Sequence, residues 1–281
     1  RTSSGKKQTF AHGWKRSGGA VCGANPLRAF RMKTLAQDRG LLYTAFVKLS
    51  IVIPCYNEER TIATIIERVL AVDLGPTTKE VLVVDDGSTD RSAALAEALA
   101  IRYPGVLRVL RQPTNMGKGA ALQRGFQEAA GDLVAIQDAD LEYDPQDFQQ
   151  MLALFRLPGV SVVFGSRRLI HNPVSNALYY SVVPFVTIVT YLLYQRRISD
   201  QFTCYKMIRR DLLRRIPLRA RGFVVDGELL AKLFRLGVDI HEVPITYRPR
   251  GREEGKKVRL RDGFHWMWEL VRQRFSDPAR W

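Results

Sequence analysis

Apolar runs alternate with amphipathic segments between residues 48 and 138 of this 281-residue chain. Four of these runs have the sequences KLSIVIP, EVLVVDD, VLRVL and DLVAIQD. Strands that are apolar on both faces are typical of parallel sheets, because helices cover both sides of such sheets. After the first run, Ile62, Ile65, Ile66, Val69 and Leu70 recur at helical spacing. The pattern predicts an α/β fold with a mainly parallel sheet sandwiched by helices.

Polar residues at the ends of these segments predict where the helices begin. We expect Asn57 to cap the first helix, and Asp90 to open a second helix in DRSAALAEALAIRY. The segment GKGAALQRGFQEAA predicts a third helix after a glycine turn. Pro145 is placed to open another helix, capped by Asp144 or Asp140. Each apolar strand is therefore followed by a helix, as parallel connections require.

Acidic residues cluster where the predicted strands end. The first strand ends in PCYNE, the second in DDGS and the fourth in DAD. Ligands of open α/β sheets bind beyond the carboxyl ends of the strands. Asp138, Asp140 and Glu142 would point to one side of an extended backbone, where water, a cation or protonation must relieve their repulsion. A solvated acidic turn is the alternative for one such end, but three ends at one edge favour a metal and nucleotide site.

The positive charge lies mainly at the two ends of the chain. Formal net charge is +15, yet residues 47–195 hold 13 basic and 16 acidic side chains, and residues 196–281 hold 21 and 11. A basic C-terminal third suits a phosphorylated substrate, an acidic membrane surface or nucleic acid. No RNA-binding or helix-turn-helix signature accompanies the charge, so we expect no nucleic-acid partner. Three cysteines and four histidines without ligand spacing argue against zinc and against a disulfide framework.

Residues 1–46 lack sustained periodicity, and residues 1–31 contain seven basic and no acidic side chains. We expect residues 1–46 to be an N-terminal arm that is disordered, a tag or a targeting sequence, with Met32 as an alternative start.

Eight segments in order resemble a known enzyme family. The segments IVIPCYNEE, VLVVDDGSTD, NMGKGAAL and QDADLEYDP are similar to the nucleotide-sugar-binding half of inverting family 2 glycosyltransferases with the GT-A fold. The segments VVFGSRR, CYKMIRR, GFVVDGELL and EVPITYRPRGREEGKKVRLRDG resemble the dolichyl-phosphate mannose and glucose synthase branch. The resemblance implies a GT-A (Rossmann-like) domain over residues 47–281. Its nucleotide-sugar half would be 47–170 and its acceptor and membrane-facing half 171–281, with C-terminal amphipathic helices.

The resemblance also implies the reaction and the residues of the site. A hexose, mannose or glucose, would pass with inversion from GDP-mannose or UDP-glucose to a polyprenyl or dolichyl phosphate. Asp140 and Glu142 would hold Mg²⁺ or Mn²⁺, which stabilises the departing diphosphate. Catalytic roles would fall to Asp138, Asp140, Arg167 and Lys256. The implied donor-binding residues are Pro54, Tyr56, Glu58, Val84, Asp86, Lys118, Asp138, Ala139, Asp140, Arg167, Arg250 and Lys256.

Two of these implied roles have an alternative. Lys118 either borders the nucleotide or is a solvated lysine in the first turn of a helix. The stretch RPRGREEGKKVR is either a flap that closes over the donor through Gly251 and Gly255, or a solvated basic loop.

The acceptor separates two glycosyltransferase hypotheses. A sugar hydroxyl needs a carboxylate base to take its proton, whereas a lipid phosphate is already ionised near neutral pH. Asp200, Asp226 and Glu228 are candidate bases, although ion pairing with nearby basic residues also explains them. A noncatalytic binder of anionic surfaces or nucleic acid is the alternative of another class.

An uncharged stretch, ALYYSVVPFVTIVTYLLY at residues 177–194, suggests membrane contact. Its length is borderline for a span and Pro184 interrupts it. An interfacial helix, a buried core or dimer helix and a true span are all compatible with it, and the first is favoured. FHWMWELVRQRF at residues 264–275 is a second candidate contact. We therefore expect a peripheral protein at the cytoplasmic face of a membrane, and homo-oligomerisation stays open.

Overall fold

A computed structural model describes residues 47–173, 177–250 and 260–277. The side chains of helical residues 177–182 and 260–262 are not among those described. The predicted N-terminal arm, residues 1–46, lies outside the described residues. So do Lys256 and the glycines of the predicted flap.

Between residues 48 and 136 the chain alternates strictly between strands and helices. Its elements are β1 (Lys48–Cys55), α1 (Ile62–Ala71), β2 (Thr78–Asp85), α2 (Ser92–Arg102), β3 (Leu107–Arg111), α3 (Lys118–Glu128) and β4 (Leu133–Ile136). The later elements are a 3₁₀ turn (Pro145–Asp147), α4 (Phe148–Leu154), β5 (Val162–Ser166), α5 (Ala177–Tyr194), β6 (Lys206–Arg209), α6 (Arg210–Leu213), α7 (Val225–Arg235), β7 (Ile240–Pro244) and α8 (Leu260–Phe275).

Seven strands form one sheet in the order β3-β2-β1-β4-β6-β5-β7. The pairs β1–β2, β1–β4, β2–β3 and β5–β7 are parallel, whereas β6 is antiparallel to both of its neighbours. The prediction of a mainly parallel sheet is confirmed. Strands β1, β2, β4 and β5 therefore end at the same side of the sheet, which we call the carboxyl edge.

An apolar layer covers each face of the sheet. One core cluster joins α1, α2 and α4 to residues such as Ile51 and Val83. The other joins α3, α5, α7 and α8 to residues such as Val52 and Val84. Alternate residues of β1 and β2 thus enter opposite layers, as the period of a strand requires. This explains why both strands are apolar throughout.

Helix α1 confirms the predicted periodicity, but its start differs from the prediction. Ile62, Ile65, Ile66 and Val69 are buried, and no side chain caps the helix at Thr61. Asn57 adopts a positive φ of 50°, and its Oδ1 accepts a hydrogen bond from the Thr89 amide at 2.8 Å. The prediction that Asn57 caps α1 was therefore wrong.

Two other helix starts follow the polar residues predicted for them. The Asp90 carboxylate accepts a hydrogen bond from the amide of Ser92, the first residue of α2. The Asp144 carboxylate accepts one from the Gln146 amide at the turn that Pro145 opens. Of the two caps considered for this turn, Asp144 is the one observed.

Helix α5 runs through Pro184 without interruption, so the expected break is absent. A proline inside a helix removes one backbone hydrogen bond and crowds the carbonyl one turn earlier, so packing of the other turns must maintain the helix here. Val183, Val186 and Thr190 are buried, whereas Phe185, Ile188 and Leu192 are exposed. No helix in the described part of the chain is long and apolar enough to cross a membrane.

Candidate active site

The three acidic strand ends meet at the carboxyl edge, because β2, β1 and β4 are parallel neighbours. The loops after β1 and β2 are joined by backbone-to-side-chain hydrogen bonds. The amide of Asn57 donates to Ser88 Oγ at 3.0 Å, and the amide of Glu58 donates to Ser92 Oγ at 2.7 Å. These bonds fix the acidic ends beside each other, and the predicted convergence is confirmed.

Asp86 organises the loop that precedes α3. Its Oδ1 accepts hydrogen bonds from Gln112 Nε2 at 2.7 Å and the Met116 amide at 2.8 Å, and its Oδ2 accepts one from the Gly117 amide at 2.7 Å. Gly87 has a φ of +70°, and a Cβ there would lie 2.6 Å from the Thr114 carbonyl carbon. The Asp86 carboxylate thus holds the wall of the predicted nucleoside pocket.

Lys118 forms an ion pair with Asp138, with 2.6 Å between Nζ and Oδ1. Both side chains are largely buried, at 11% and 15% exposure. Burial alone would lower the pKa of Lys118, but the charges of Asp138 and Asp226 raise it well above its usual value. Lys118 is therefore a buried cation at the carboxyl edge, which excludes the alternative of a solvated lysine.

Residues after β4 form a turn and not the extended backbone assumed from sequence. The strand ends at Ile136, and Leu141 has a left-handed φ of 61°. The Asp140 Oδ1 accepts a hydrogen bond from the Glu142 amide at 3.1 Å, which stabilises this turn. The prediction that Asp138, Asp140 and Glu142 alternate along a strand was therefore wrong.

Asp140 is a buried acid whose pKa is raised by its surroundings. Burial raises the pKa of Asp140, and the charges of Asp138 and Glu142 raise it further. The Glu142 amide and Arg250 lower it in part, so that the pKa is about 7. Neutral pH thus leaves the carboxyl partly protonated unless a cation joins it.

The carboxylates at this turn fit a divalent cation, although they do not complete its ligand set. Across the described ranges, no group of three or more His, Cys, Asp and Glu side chains is arranged to hold a metal ion. Carboxylate oxygens suit Mg²⁺ and Mn²⁺, which usually keep positions for water and substrate phosphates. Asp140 would be a charged ligand of such an ion, whose remaining positions would be left to other oxygen ligands.

Glu142 is already engaged by the segment after β7. Its Oε2 accepts a hydrogen bond from Tyr247 Oη at 3.0 Å, and its Oε1 accepts one from the Arg250 amide at 2.9 Å. Arg250 then reaches over the edge, where Nε donates to the Asp140 carbonyl at 2.7 Å and Nη2 pairs with Glu58 Oε2 at 2.9 Å. Arg250 therefore bridges the ends of β1 and β4, and we call this contact the Arg250 bridge.

Arg167, at the end of β5, pairs with Asp200 in two parallel contacts. Nε lies 2.7 Å from Oδ2 and Nη2 lies 2.7 Å from Oδ1, the fork geometry that favours arginine over lysine. Asp200 is fully buried, and the guanidinium of Arg167 also lies over the Tyr247 ring at 5.1 Å. Tyr247 thus contacts both Arg167 and Glu142.

The other two candidate bases are also held in buried ion pairs. Asp226 contacts Lys206 at 2.5 Å and accepts a hydrogen bond from the Cys204 thiol at 3.6 Å. Burial would raise the pKa of Asp226, but Lys206 and Lys118 lower it below its usual value. Glu228 is fully buried and contacts Lys232 at 2.7 Å. These three carboxylates are therefore paired.

The remaining predicted donor residues differ in exposure. Pro54 and Tyr56 are half-buried at the end of β1, and Ala139 is buried beside the two aspartates. Val84 is fully buried in the core, so its side chain contacts apolar core residues. Lys256 lies outside the described residues.

Sequence reasoning missed several residues that order the site. Tyr247 and Gln112 bind the carboxylates of Glu142 and Asp86, and Lys206 neutralises Asp226. No spacing rule links these residues to their partners, since the elements that carry them meet only in the folded sheet. The only signal was that Tyr247 and Lys206 lie within the segments EVPITYRPR and CYKMIRR used for the resemblance.

Comparison with known proteins identifies the family. Residues 50–216 match the model described as Glycosyl transferase family 2, which covers more than half of the chain. The chain belongs to glycosyltransferase family 2.

Several family members are similar to this chain over most of its length. The polyprenol monophosphomannose synthase of Mycolicibacterium smegmatis is 30% identical over 208 residues, which are 71% of this chain and 77% of that protein. The dolichol-phosphate mannosyltransferase of Pyrococcus furiosus is 29% identical over 75% of this chain. This chain spans only 59% of that relative's length. The dolichyl-phosphate beta-glucosyltransferase of Trichomonas vaginalis is 29% identical over 77% of this chain and 69% of that protein.

The fold also matches solved structures of the same architecture. Glucosyl-3-phosphoglycerate synthase from Mycobacterium tuberculosis superimposes with a TM-score of 0.63 and 23% identity, over 82% of this chain and 78% of that chain. That protein was crystallised with Mn²⁺, uridine diphosphate and phosphoglyceric acid. The predicted GT-A fold is confirmed.

Proposed function

We propose that this family 2 glycosyltransferase transfers mannose or glucose, with inversion, from a nucleotide sugar to a polyprenyl or dolichyl phosphate. The observation that carries the proposal is the pairing of its buried carboxylates. A transferase to sugar hydroxyls needs a base, whereas Asp200, Asp226 and Glu228 each have a cationic partner. The similarity to enzymes named for dolichol, dolichyl and polyprenol phosphates supports the same acceptor class.

The donor occupies the carboxyl edge in this proposal. The nucleoside binds against the loop before α3 that Asp86 holds in place, while Asp138, Asp140 and Lys118 surround the diphosphate and the sugar. Asp140 and Glu142 hold Mg²⁺ or Mn²⁺, an ion that supplies stabilisation of negative charge on the leaving diphosphate. Lys118, Arg167 and Arg250 add positive charge around the same group.

The reaction needs no proton transfer to a base. A phosphate monoester has a second pKa of about 6, so its oxygen is ionised near neutral pH. That oxygen attacks the anomeric carbon as the bond to the diphosphate breaks, and the electron pair leaves with the nucleoside diphosphate. Attack opposite to the leaving group inverts the anomeric configuration. The protein contributes orientation and charge complementarity, which are large terms in such transfers.

Peripheral membrane attachment accompanies the lipid acceptor in this proposal. Helices α5 and α8 pack together, with Tyr194 Oη donating to the Leu270 carbonyl at 2.6 Å. Their outer faces carry large exposed apolar side chains, which are Phe185, Ile188, Leu192, Phe264, Trp268 and Phe275. Apolar faces with arginines at the helix ends suit the headgroup region of a bilayer. We call these six residues the α5/α8 apolar face.

A donor and acceptor screen tests the proposed function. Purified protein with Mn²⁺ or Mg²⁺ is incubated with UDP-glucose or GDP-mannose and undecaprenyl or dolichyl phosphate, and glycolipid is detected by mass spectrometry. We expect one donor to yield glycolipid in a metal-dependent reaction. Asp140→Ala should abolish this activity without unfolding the protein. Transfer to saccharide hydroxyls in place of lipid phosphate would contradict the proposal.

A further inference from the structure

The loop between β5 and α5 exposes a cation beside two apolar side chains. Arg167 turns inward to Asp200, but the next residue, Arg168, is exposed. Leu169 and Ile170 follow with 48% and 45% of their surface exposed. Burying side chains of this size would contribute about 1.5–3 kcal/mol each, so their exposure forgoes stability. An amphipathic partner, charged at one end and apolar at the other, would cover all three residues.

Hydrogen bonds hold the part of this loop that runs from residue 166 to residue 172. The Arg168 amide donates to Ser166 Oγ at 3.2 Å. Asn172, which is buried, donates through Nδ2 to the carbonyls of Arg167 at 2.8 Å and Ile245 at 3.0 Å. Leu169 and Ile170 are therefore exposed on a segment that hydrogen bonds hold on either side of them.

The same contacts connect this loop to the donor site. Asn172 Oδ1 accepts a hydrogen bond from the Tyr247 amide at 2.9 Å, and Tyr247 Oη donates to Glu142 at 3.0 Å. Glu142 belongs to the turn that holds Asp140. The exposed triplet thus lies one residue beyond Arg167 at the carboxyl edge, on the β5 side of the donor.

Arg168 also differs from the other cations of the site in its pairing. Lys118, Arg167 and Arg250 each contact a carboxylate. Among the described residues, Arg168 has no carboxylate within ion-pair distance, and its side chain faces water. An incoming phosphate can therefore engage this guanidinium without displacing an internal partner.

We propose that Arg168, Leu169 and Ile170 form the entry site for the acceptor, with Arg168 contacting its phosphate and the two apolar side chains contacting its first isoprene units. This inference rests on the proposed function, because it takes a lipid phosphate as the acceptor. It assigns two separable contributions to neighbouring residues. Arg168 contributes to binding of the acceptor phosphate whatever the length of the lipid chain, whereas Leu169 and Ile170 contribute only to binding of the chain.

Steady-state kinetics with two acceptors separates these contributions. Undecaprenyl phosphate carries a long chain, and geranyl phosphate presents the same phosphate on a short one. Arg168→Gln should raise the KM for both acceptors by about tenfold, the loss expected for one charge-assisted contact, with little change in the donor KM. The double variant Leu169→Ser with Ile170→Ser should raise the KM for undecaprenyl phosphate several times more than the KM for geranyl phosphate.

Matched controls lie at the opposite edge of the sheet. Arg214 follows α6 and is equally exposed, and Leu157 precedes β5 with 51% exposure. Arg214→Gln and Leu157→Ser should keep wild-type kinetics with both acceptors. Unchanged acceptor KM in Arg168→Gln, or equal effects of the apolar variant on both acceptors, would overturn this inference alone. Failure of the wild-type protein to glycosylate either acceptor would instead overturn the proposed function.

Discussion

Replacing Glu228 by glutamine tests whether this carboxylate is structural or catalytic. Glu228 and Lys232 are 0% and 1% exposed, and their charged atoms lie 2.7 Å apart. The second carboxylate oxygen accepts hydrogen bonds from the amides of Arg219 at 2.9 Å and Ala220 at 2.8 Å. The pair therefore holds the segment that leads from α6 to α7, where the Arg221 carbonyl accepts a hydrogen bond from the Ala120 amide of α3.

The structure sets the size of the expected loss. Glu228→Gln removes the carboxylate charge that lies 2.7 Å from the buried Lys232 ammonium, and removing one partner of a buried ion pair costs about 3–5 kcal/mol. For a domain of this size each kcal/mol lowers Tm by about 2–4 °C, so we expect Tm to fall by roughly 10 °C. Removing both charges avoids this imbalance of buried charge. The double variant Glu228→Gln with Lys232→Met, in which the glutamine Oε1 can still accept hydrogen bonds from the Arg219 and Ala220 amides, should therefore be more stable than Glu228→Gln alone.

Urea unfolding followed by circular dichroism measures these stabilities, and initial rates measure turnover per folded molecule. We expect Glu228→Gln to lose stability while its turnover, at a temperature where it is folded, stays within about threefold of wild type. A turnover loss of a hundredfold or more with unchanged stability would refute the structural role, and it would restore Glu228 as the base of a hydroxyl-directed enzyme.

Three further outcomes follow from charges and exposure. Lys206 lowers the pKa of Asp226 in the folded protein. The wild-type protein should therefore be more stable than Asp226→Asn by a constant amount near neutral pH, and this difference should shrink as pH falls below about 4. A difference in urea midpoint that stays constant down to pH ~3 would contradict this. Arg250→Lys should raise the Kd for a nucleoside diphosphate, measured by calorimetry, about tenfold, because lysine cannot form the Arg250 bridge. Arg248→Lys, a variant of an exposed neighbour, should bind as wild type does. Trp268→Ser should reduce co-sedimentation with anionic vesicles, whereas Ile101→Ser, at a position on α2 that is 81% exposed, should not. Equal losses in the two variants would argue against membrane binding through the α5/α8 apolar face.

The strands and the edge that carries the candidate site could be predicted because they depend on local patterns. Continuous apolar runs identify strands buried on both faces, and parallel topology brings their carboxyl ends together. The acidic turn after β4 could not be predicted in the same way. Leu141 takes a left-handed conformation that its residue type does not favour, and the Asp140 side chain ends the extended backbone.

The ion pairs of the site were beyond sequence reasoning for a different reason. Arg250 and Glu58 are 192 residues apart, and Arg167 and Asp200 are 33 apart. Each of these side chains taken alone is a cation or an anion that could face substrate or solvent. Only the folded chain shows which opposite charge it meets, so that candidate bases become partners of lysines and arginines.

The antiparallel strand β6 gives the order in which this sheet can be completed during synthesis. Among the strands of the described residues, β1 to β4 can pair with one another as soon as they leave the ribosome, but β5 pairs only with β6 and β7. Strand β5 must therefore wait, unpaired, until about forty more residues have emerged and β6 can enter between it and β4. A nascent chain stalled within α5 would carry open strand edges on β4 and on both sides of β5, which are surfaces that a chaperone would need to cover.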